Sequence, residues 1–538
     1  MKRFLEQQDL GLDTSFKCAR CRECKDCLKG AGHERLSIIQ EEHQQKIRES
    51  VHIDKDIGRG VATLPFLTDP KGLLTDNTHI ATRRLDSVCK KYAGDQEVVS
   101  KINAAFDKLI DKGHIVLVKD LPKDVEKRIR AAKPSYTIPY DVAFKDSLST
   151  PARPVFDASS KTPGGYSLND LLPKGKPDIV RLLDMVLDWR MGASALTGDI
   201  RQFYNNIKLK EDYWQFQKIL LRKDLDPKAK TMLAIVTSLI YGVKPVGKQC
   251  EEIIKMLADE IRGEFPEVAK LLVERRYVDD FGKSTNSKEE TKNLIDDTTT
   301  VLKKINMEVK GWTISGEEPL ADLSDDGISV GFAGMTWLPK PDFFKLNIQS
   351  LHFAKKKRGK FPPNLVKFEQ KHTETGITVE EFTPKKITRT NCTSVTARIF
   401  DITGLLAPLL LKLKSDLRKL IKFEPSWTAS IPDHQRAIWV KNFQTIEEVR
   451  DIMYLRCSIP IDAVSTAARI LLLGDAADDG IILGAYVGYQ RKCGDWSCDL
   501  LFGKGLLAPE NWTIPQKELH ALSSLASLKT VLDNAIGS

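Results

Sequence analysis

Apolar positions along the chain recur with two periods, and the switches between them outline the elements. Residues 34–50 (ERLSIIQEEHQQKIRES) form a charged helical stretch, and 100–118 (SKINAAFDKLIDKGHIVLV) an amphipathic helix, a glycine stop and a strand. Short apolar runs broken by proline and glycine over 136–165 indicate strands and loops. DIVRLLDMVLDWR (178–190) is helical, and ASALTGDIRQFYNNIKL (193–209) is an apolar strand entering a short helix. Residues 229–262 pattern as two helices joined at YGVKPVGKQ (241–249), and LVERRYVDDFGKST (272–285) as a hairpin with an Asp pair at its tip. A helix and a strand follow over 286–311, then one short strand at GFAGMTW (331–337) and a Lys-rich linker over roughly 354–386. The next region is helical, including 402–423. Near 465 the pattern changes to two strands joined by a turn (466–490) and a last helix (515–535), and no internal repeat is visible.

A chain of 538 residues is too long for one ordinary domain, so three or more units are expected. With 41% hydrophobic residues it can build real cores, which excludes wholesale disorder. The net charge of +9 is a modest excess of 82 Lys and Arg over 73 Asp and Glu. Its basic runs, FAKKKRGK (353–360) and TPKKITR (383–389), suit either solvated surface or a polyphosphate backbone. No run of 18 apolar residues predicts a membrane span, and the N-terminus lacks the apolar stretch of a signal peptide. The ten cysteines are therefore expected as reduced thiols.

Asp279 and Asp280 pose the chemical question, because adjacent carboxylates repel. They could simply form a turn. Alternatively, a third carboxylate joins them around a divalent cation. Asp199, at the end of the strand in LTGDIRQFYNNI, is the candidate; by itself it could equally be a helix N-cap. If both strands share a sheet, the carboxylates can converge, and hard oxygen donors favour Mg²⁺ or Mn²⁺.

Together these segments carry a resemblance. YVDD is similar to the Tyr-x-Asp-Asp motif of reverse transcriptases, and DIRQFYNNI to their upstream Asp motif. RPVFDASSKTPGGYSLNDLLPKGK, LTGDIRQFYNNIKL, YGVKPVGKQ, RYVDD, GMTW and ITGLLAPL, in this order, resemble the polymerase region of Pao/BEL retrotransposons over about residues 3–533. The resemblance implies an α/β (α+β) multidomain chain: a right-hand polymerase with fingers, palm and thumb, then a connection and a truncated ribonuclease H-like domain. The expected divisions are a Cys-containing junction at 1–50, fingers and palm at 51–345, thumb and connection at 346–464 and partial ribonuclease H at 465–538. It implies RNA- and DNA-directed DNA synthesis with two Mg²⁺ or Mn²⁺ ions per site. Asp199 and Asp279 would bridge them, with Asp280 less direct. Arg153 would grip the incoming triphosphate, with Lys145 a partner of looser spacing. Tyr204 would gate against the ribose 2′-hydroxyl. Tyr241 replaces the retroviral glutamine before Gly242, which leaves the template-side contact open, and GMTW would be the primer-grip strand. The implied partners are an RNA template, a DNA primer or RNA–DNA hybrid and dNTPs, without a membrane, in a cytoplasmic retrotransposon particle.

Cys18, Cys21, Cys24 and Cys27 stand at uniform three-residue spacing. Four thiolates can hold tetrahedral Zn²⁺, but zinc sites usually separate two Cys pairs by a longer loop, so zinc and reduced linker thiols both stay open. Asp475 and Glu518 resemble the first two ribonuclease H carboxylates. After Glu518 the only acid is Asp533, about 22 Å further along a continuous helix, too far to share their metals. Asp478 and Asp479 suit the strand-to-strand turn. The expectation is therefore polymerisation without hybrid cleavage, with a C-terminal sheet left with an unpaired edge and an uncovered apolar face. Two other classes stay in view: a decayed or domesticated nucleic-acid binder without catalysis, and an RNA replicase, which an aromatic gate disfavours.

Overall fold

The computed structural model describes residues 38–144, 151–176, 179–354, 365–424, 426–465 and 468–536. The charged stretch is helix α1 (Ile38–Glu49), and α2 (Gln96–Asp111) leads through Gly113, at φ 65°, into β1 (Ile115–Leu117). Strands β2 (Tyr140–Phe144) and β3 (Ala152–Phe156) form an antiparallel hairpin. Along β3, Ala152, Pro154 and Phe156 are buried while Arg153 and Val155 face out, the alternation a half-buried strand requires.

The unit around the central sheet begins with helix α3 (Leu182–Met191) and strand β4 (Ser194–Ile200). Next come strands β5 (Lys218–Leu221) and β6 (Met232–Val236), helices α4 (Val246–Ile261) and α5 (Pro266–Glu274), and the hairpin β7 (Arg276–Tyr277) and β8 (Asp280–Thr285). Helix α6 (Lys288–Lys303) and strand β9 (Val309–Ile314) complete it. The central sheet has the order β7-β8-β4-β9, all antiparallel. Two helices do not occur over 229–262. Met232–Val236 is a strand between β1 and β5, and only α4 is helical. A short apolar run such as MLAIV fits either state, and the two waiting strand partners decide it.

GFAGMTW is likewise not one strand but a hairpin, β10 (Val330–Phe332) and β11 (Met335–Leu338), continued by β12 (Phe343–Leu346). Its two-residue turn places Ala333 at φ 49° and Gly334 at φ 79°, the left-handed pair that matches strand twist. Part of the expected Lys-rich linker is ordered: residues 368–375 and 379–382 are helical, the latter opened by a Thr378–Glu381 capping box. Helices α7 (Arg389–Thr396), α8 (Ala407–Phe423) and α9 (Asp433–Val449) precede the short strand β13 (Tyr454–Leu455), which pairs with β12.

The C-terminal unit has three strands rather than the two expected: β14 (Arg469–Ala476), β15 (Gly480–Gln490) and β16 (Trp496–Leu507), followed by α10 (Ile514–Ile536). Asp478 and Asp479 do lie in the β14–β15 turn, and Asp479 binds Lys419 of α8 at 2.6 Å. One face of this sheet is covered: Ala485, Val487 and Tyr489 of β15 pack with Leu528 and Leu532 of α10 and with Leu187 of α3. Arg190, also on α3, donates to the Leu501 carbonyl at 2.8 Å. Strand β14 ends the sheet, and Leu471 and Leu473 on its outer face are about half exposed. Helix α3 has no exposed residue, and its charged side chains are partnered: Asp184 by Arg181, Asp188 by Arg275 and Arg190 by the Leu501 carbonyl. Met185, Val186 and Trp189 enter the core formed with β10–β12 and α7–α9, while Leu187 enters the C-terminal core.

Candidate functional site

Strand register builds the site. Asp199 on β4 stands directly opposite Asp280 on β8, and Asp279 occupies the two-residue turn before β8. The backbone N–H of Ile200 donates to the Asp279 carbonyl at 2.9 Å, tying the turn to the end of β4. One carboxylate oxygen from each of Asp199, Asp279 and Asp280 lies within 4.8 Å of the others, the one such group of potential metal ligands among the described residues. Asp199 and Asp279 are half-buried and Asp280 is exposed, so the cluster opens to one side.

The turn is held under strain. Val278 sits at φ 60°, a left-handed conformation that costs a β-branched residue about 1–3 kcal/mol. Its carbonyl accepts from Arg276 Nη1, and the buried Arg276 is itself bound side-on by Glu251 of α4, at 2.7 and 3.2 Å. Gly282, three positions past Asp279, lets the β10–β11 hairpin close in beneath: a Cβ there would come within 2.3 Å of the Phe332 ring.

Electrostatics mark the cluster as under-compensated. Asp199 is pushed up to about 6, first by burial and then by the charge of Asp279, while Lys310 and Arg153 pull it down. Burial also raises Asp279, against its own backbone hydrogen bond, Arg276 and Arg153. Three converging oxygens with a raised carboxyl fit a hard divalent cation, whose charge would offset both penalties.

Further residues act on the same cluster. Arg153, outward-facing on β3, lowers Asp199, Asp279 and Tyr241 through its charge. Tyr204 lies in the 3₁₀ turn Phe203–Asn206 just after β4, edge-on to Tyr241 at 6.3 Å between ring centroids. Gly242 is at φ 99°, and a Cβ there would meet the Phe156 carbonyl oxygen at 2.3 Å, so no other residue fits. Asn169 fixes this loop: its Nδ2 donates to the Gly242 carbonyl at 2.8 Å, and its Oδ1 accepts from the Lys244 N–H at 2.8 Å. Arg276, Glu251, Asn169 and Lys310 were not found by sequence reasoning. Arg276 adjoins the motif, but its pairing with a glutamate 25 positions earlier had no local signal.

Lys145 and the cysteines Cys18, Cys21, Cys24 and Cys27 lie outside the described residues. Asp475 and Glu518 are not brought into a cluster of three. A Cβ on the neighbouring Gly474 would meet Leu525 of α10, so strand alternation turns the exposed Asp475 away from the helix that carries Glu518. Among the described residues no helix is long and apolar enough to cross a membrane.

The described residues thus form a multidomain α/β chain whose antiparallel central sheet gathers three carboxylates and is followed by a helical region and a three-stranded C-terminal sheet. Residues 388–537 match the family model of the Pao retrotransposon-like RNaseH-like domain, so the resemblance to Pao/BEL retrotransposons has a family match behind its C-terminal part. A solved structure of the foamy viral protease-reverse transcriptase in complex with RNA/DNA hybrid is similar at 11% identity and a TM-score of 0.47. That similarity covers 94% of this chain, and this chain spans 57% of the foamy viral one. No curated protein matches the sequence.

Proposed function

We propose that the chain is an RNA-directed, and also DNA-directed, DNA polymerase of a Pao/BEL-type retrotransposon. It would extend a DNA primer on an RNA template with dNTPs, in a cytoplasmic particle. The observation that carries this reading is the convergence of Asp199, Asp279 and Asp280 within 4.8 Å on adjacent strands. Asp199 and Asp279 would hold Mg²⁺ or Mn²⁺, two ions per site, with Asp280 at the open side. When bound, such a pair activates a primer 3′-hydroxyl and neutralises charge on the departing pyrophosphate.

The chain's own residues supply the rest. Arg153 presents a planar donor fork to the triphosphate oxygens from an outward-facing strand position. Tyr204, backed by the Tyr241 ring, fills the space a 2′-hydroxyl would need. Asn169 holds the Gly242 loop so that its backbone can pass close to Phe156 and keep Tyr241 in place. The intact carboxylate set speaks against a purely binding role.

Primer extension on an RNA template, with the parent chain beside Asp199→Asn, tests the reading. Mg²⁺-dependent extension by the parent and none by the variant is the expected result. A parent that binds template–primer but never extends it would leave the binding protein as the answer.

A further inference from the structure

We infer that Arg276, keyed by Glu251, is the positioning residue that sets the geometry of the carboxylate cluster. This rests on the polymerase reading for its reaction, but its geometry stands independently. Arg276 follows the Arg275 C-cap of α5, and its side chain, 3% exposed, runs back beneath the Val278–Asp279 turn. Its donors are divided among three elements. Nε donates to the Leu272 carbonyl at 3.0 Å, in the last turn of α5. Nη1 and Nη2 meet the two oxygens of Glu251 on α4, at 3.2 and 2.7 Å, and Nη1 also reaches the Val278 carbonyl. The guanidinium carbon lies 5.3 Å from the Phe203 ring centroid, beside the residue expected to gate the sugar.

Val278 needs this arrangement. At φ 60° its carbonyl points inward rather than toward a strand partner, and an alternative turn would swing Asp279 away from Asp199. The inward carbonyl is satisfied by a donor that is itself clamped by α4 and α5. The next carbonyl, that of Asp279, is then free to accept from Ile200. The clamp therefore transmits the position of two helices, α4 and α5, to one carboxylate.

Charge alone does not explain the residue, since Glu251 offsets the guanidinium at close range. The requirement is for a rigid fork with donors in three directions, which a lysine ammonium on a flexible stem cannot reproduce. Arg276→Lys, which keeps the charge, thus separates geometry from electrostatics.

The test uses the whole chain and two readouts. Mn²⁺ affinity, followed by electron paramagnetic resonance without nucleic acid, should fall about tenfold or more in Arg276→Lys, as when an outer support of a metal ligand is lost. In primer extension kcat should fall while KM for dNTP and Kd for template–primer stay within about threefold of the parent. If Arg276→Lys does not fold, Glu251→Gln serves, keeping Arg276 and its Val278 contact; it should weaken Mn²⁺ in the same direction by a smaller factor. Parent-like Mn²⁺ affinity and kcat in a folded Arg276→Lys, or parent-like Mn²⁺ affinity in Glu251→Gln, overturns the inference. A parent that binds Mn²⁺ but never extends a primer would defeat the polymerase reading and leave the positioning test intact.

Discussion

Arg456 has no exposed surface and grips both carboxylate oxygens of Asp342, with Nε 2.7 Å from Oδ1 and Nη2 2.7 Å from Oδ2. Its remaining donors reach the carbonyls of Trp189 and Gly192 at 2.8 Å and of Ala193 at 3.1 Å. Asp342 also accepts from the Trp337 indole at 3.0 Å. One side chain thus joins the end of α3, the β11–β12 hairpin and the approach to the C-terminal sheet.

Removing one member of this pair, of which Arg456 is fully buried and Asp342 partly so, strands the other. Arg456→Met or Asp342→Asn is expected to cost about 3–5 kcal/mol in urea unfolding. The double replacement Arg456→Met with Asp342→Leu should cost less than the sum of the single changes. Additive losses in a double-mutant cycle would show that the two do not act as a pair.

Asp199 should trade stability against metal binding. Its folded value near 6 lies above the ordinary carboxylate value of 3.8, so between them the folded state binds the extra proton. Stability from this group is therefore present at low pH and lost as pH rises through about 6. In chelator, Asp199→Asn should be more stable than the parent by about 1–2 kcal/mol at pH 7.5, after discounting for solvent screening, by about half that at pH 5, and by little below about pH 4. Adding Mn²⁺ should stabilise only the parent. Parallel thermal-melting profiles from pH 5 to 7.5 would contradict this account.

Sugar selection should rest on Tyr204. Tyr204→Ala removes the ring beside the carboxylates and should raise ribonucleotide incorporation, read as a fall in the ratio of kcat/KM for dNTP over rNTP, of order ten- to a hundredfold. Tyr241→Phe keeps the ring contact and should leave the ratio near that of the parent. If Tyr204→Ala leaves the ratio where it was, the gate lies elsewhere.

The C-terminal sheet is expected not to cleave RNA in an RNA–DNA hybrid. Asp475 is directed away from the helix carrying Glu518, and in-line hydrolysis needs two ions held together. A labelled hybrid incubated with Mn²⁺, with an intact ribonuclease H as control, checks this. Cleavage that vanishes in Asp475→Asn would reveal a ligand set not visible here.

The converging carboxylates were legible because their signal is local: each stands in a short motif whose strand ending and turn are set by neighbouring residues. Asp279 and Asp280 are adjacent, and the register that brings Asp199 opposite follows once both strands share a sheet. Other features were hidden because their causes are distant in sequence. MLAIV is a strand only because β1 and β5 flank it. The face of β15 is covered by Leu187, and β16 is bound by Arg190, both some 300 positions away, which no window on the C-terminus contains. Strand β16 is interrupted by charges and by a bulge opposite Ala485 and Tyr486, which blurs its alternation.

The placement of α3 between two cores also sets an order of events at the ribosome. Trp189 leaves the tunnel 267 residues before Arg456, the side chain that caps its carbonyl. At ordinary translation speeds that interval is roughly 13–50 s, during which much of the helix surface has nothing to cover it. Until those later segments emerge, the apolar side chains of α3 lack the partners that bury them in the folded chain.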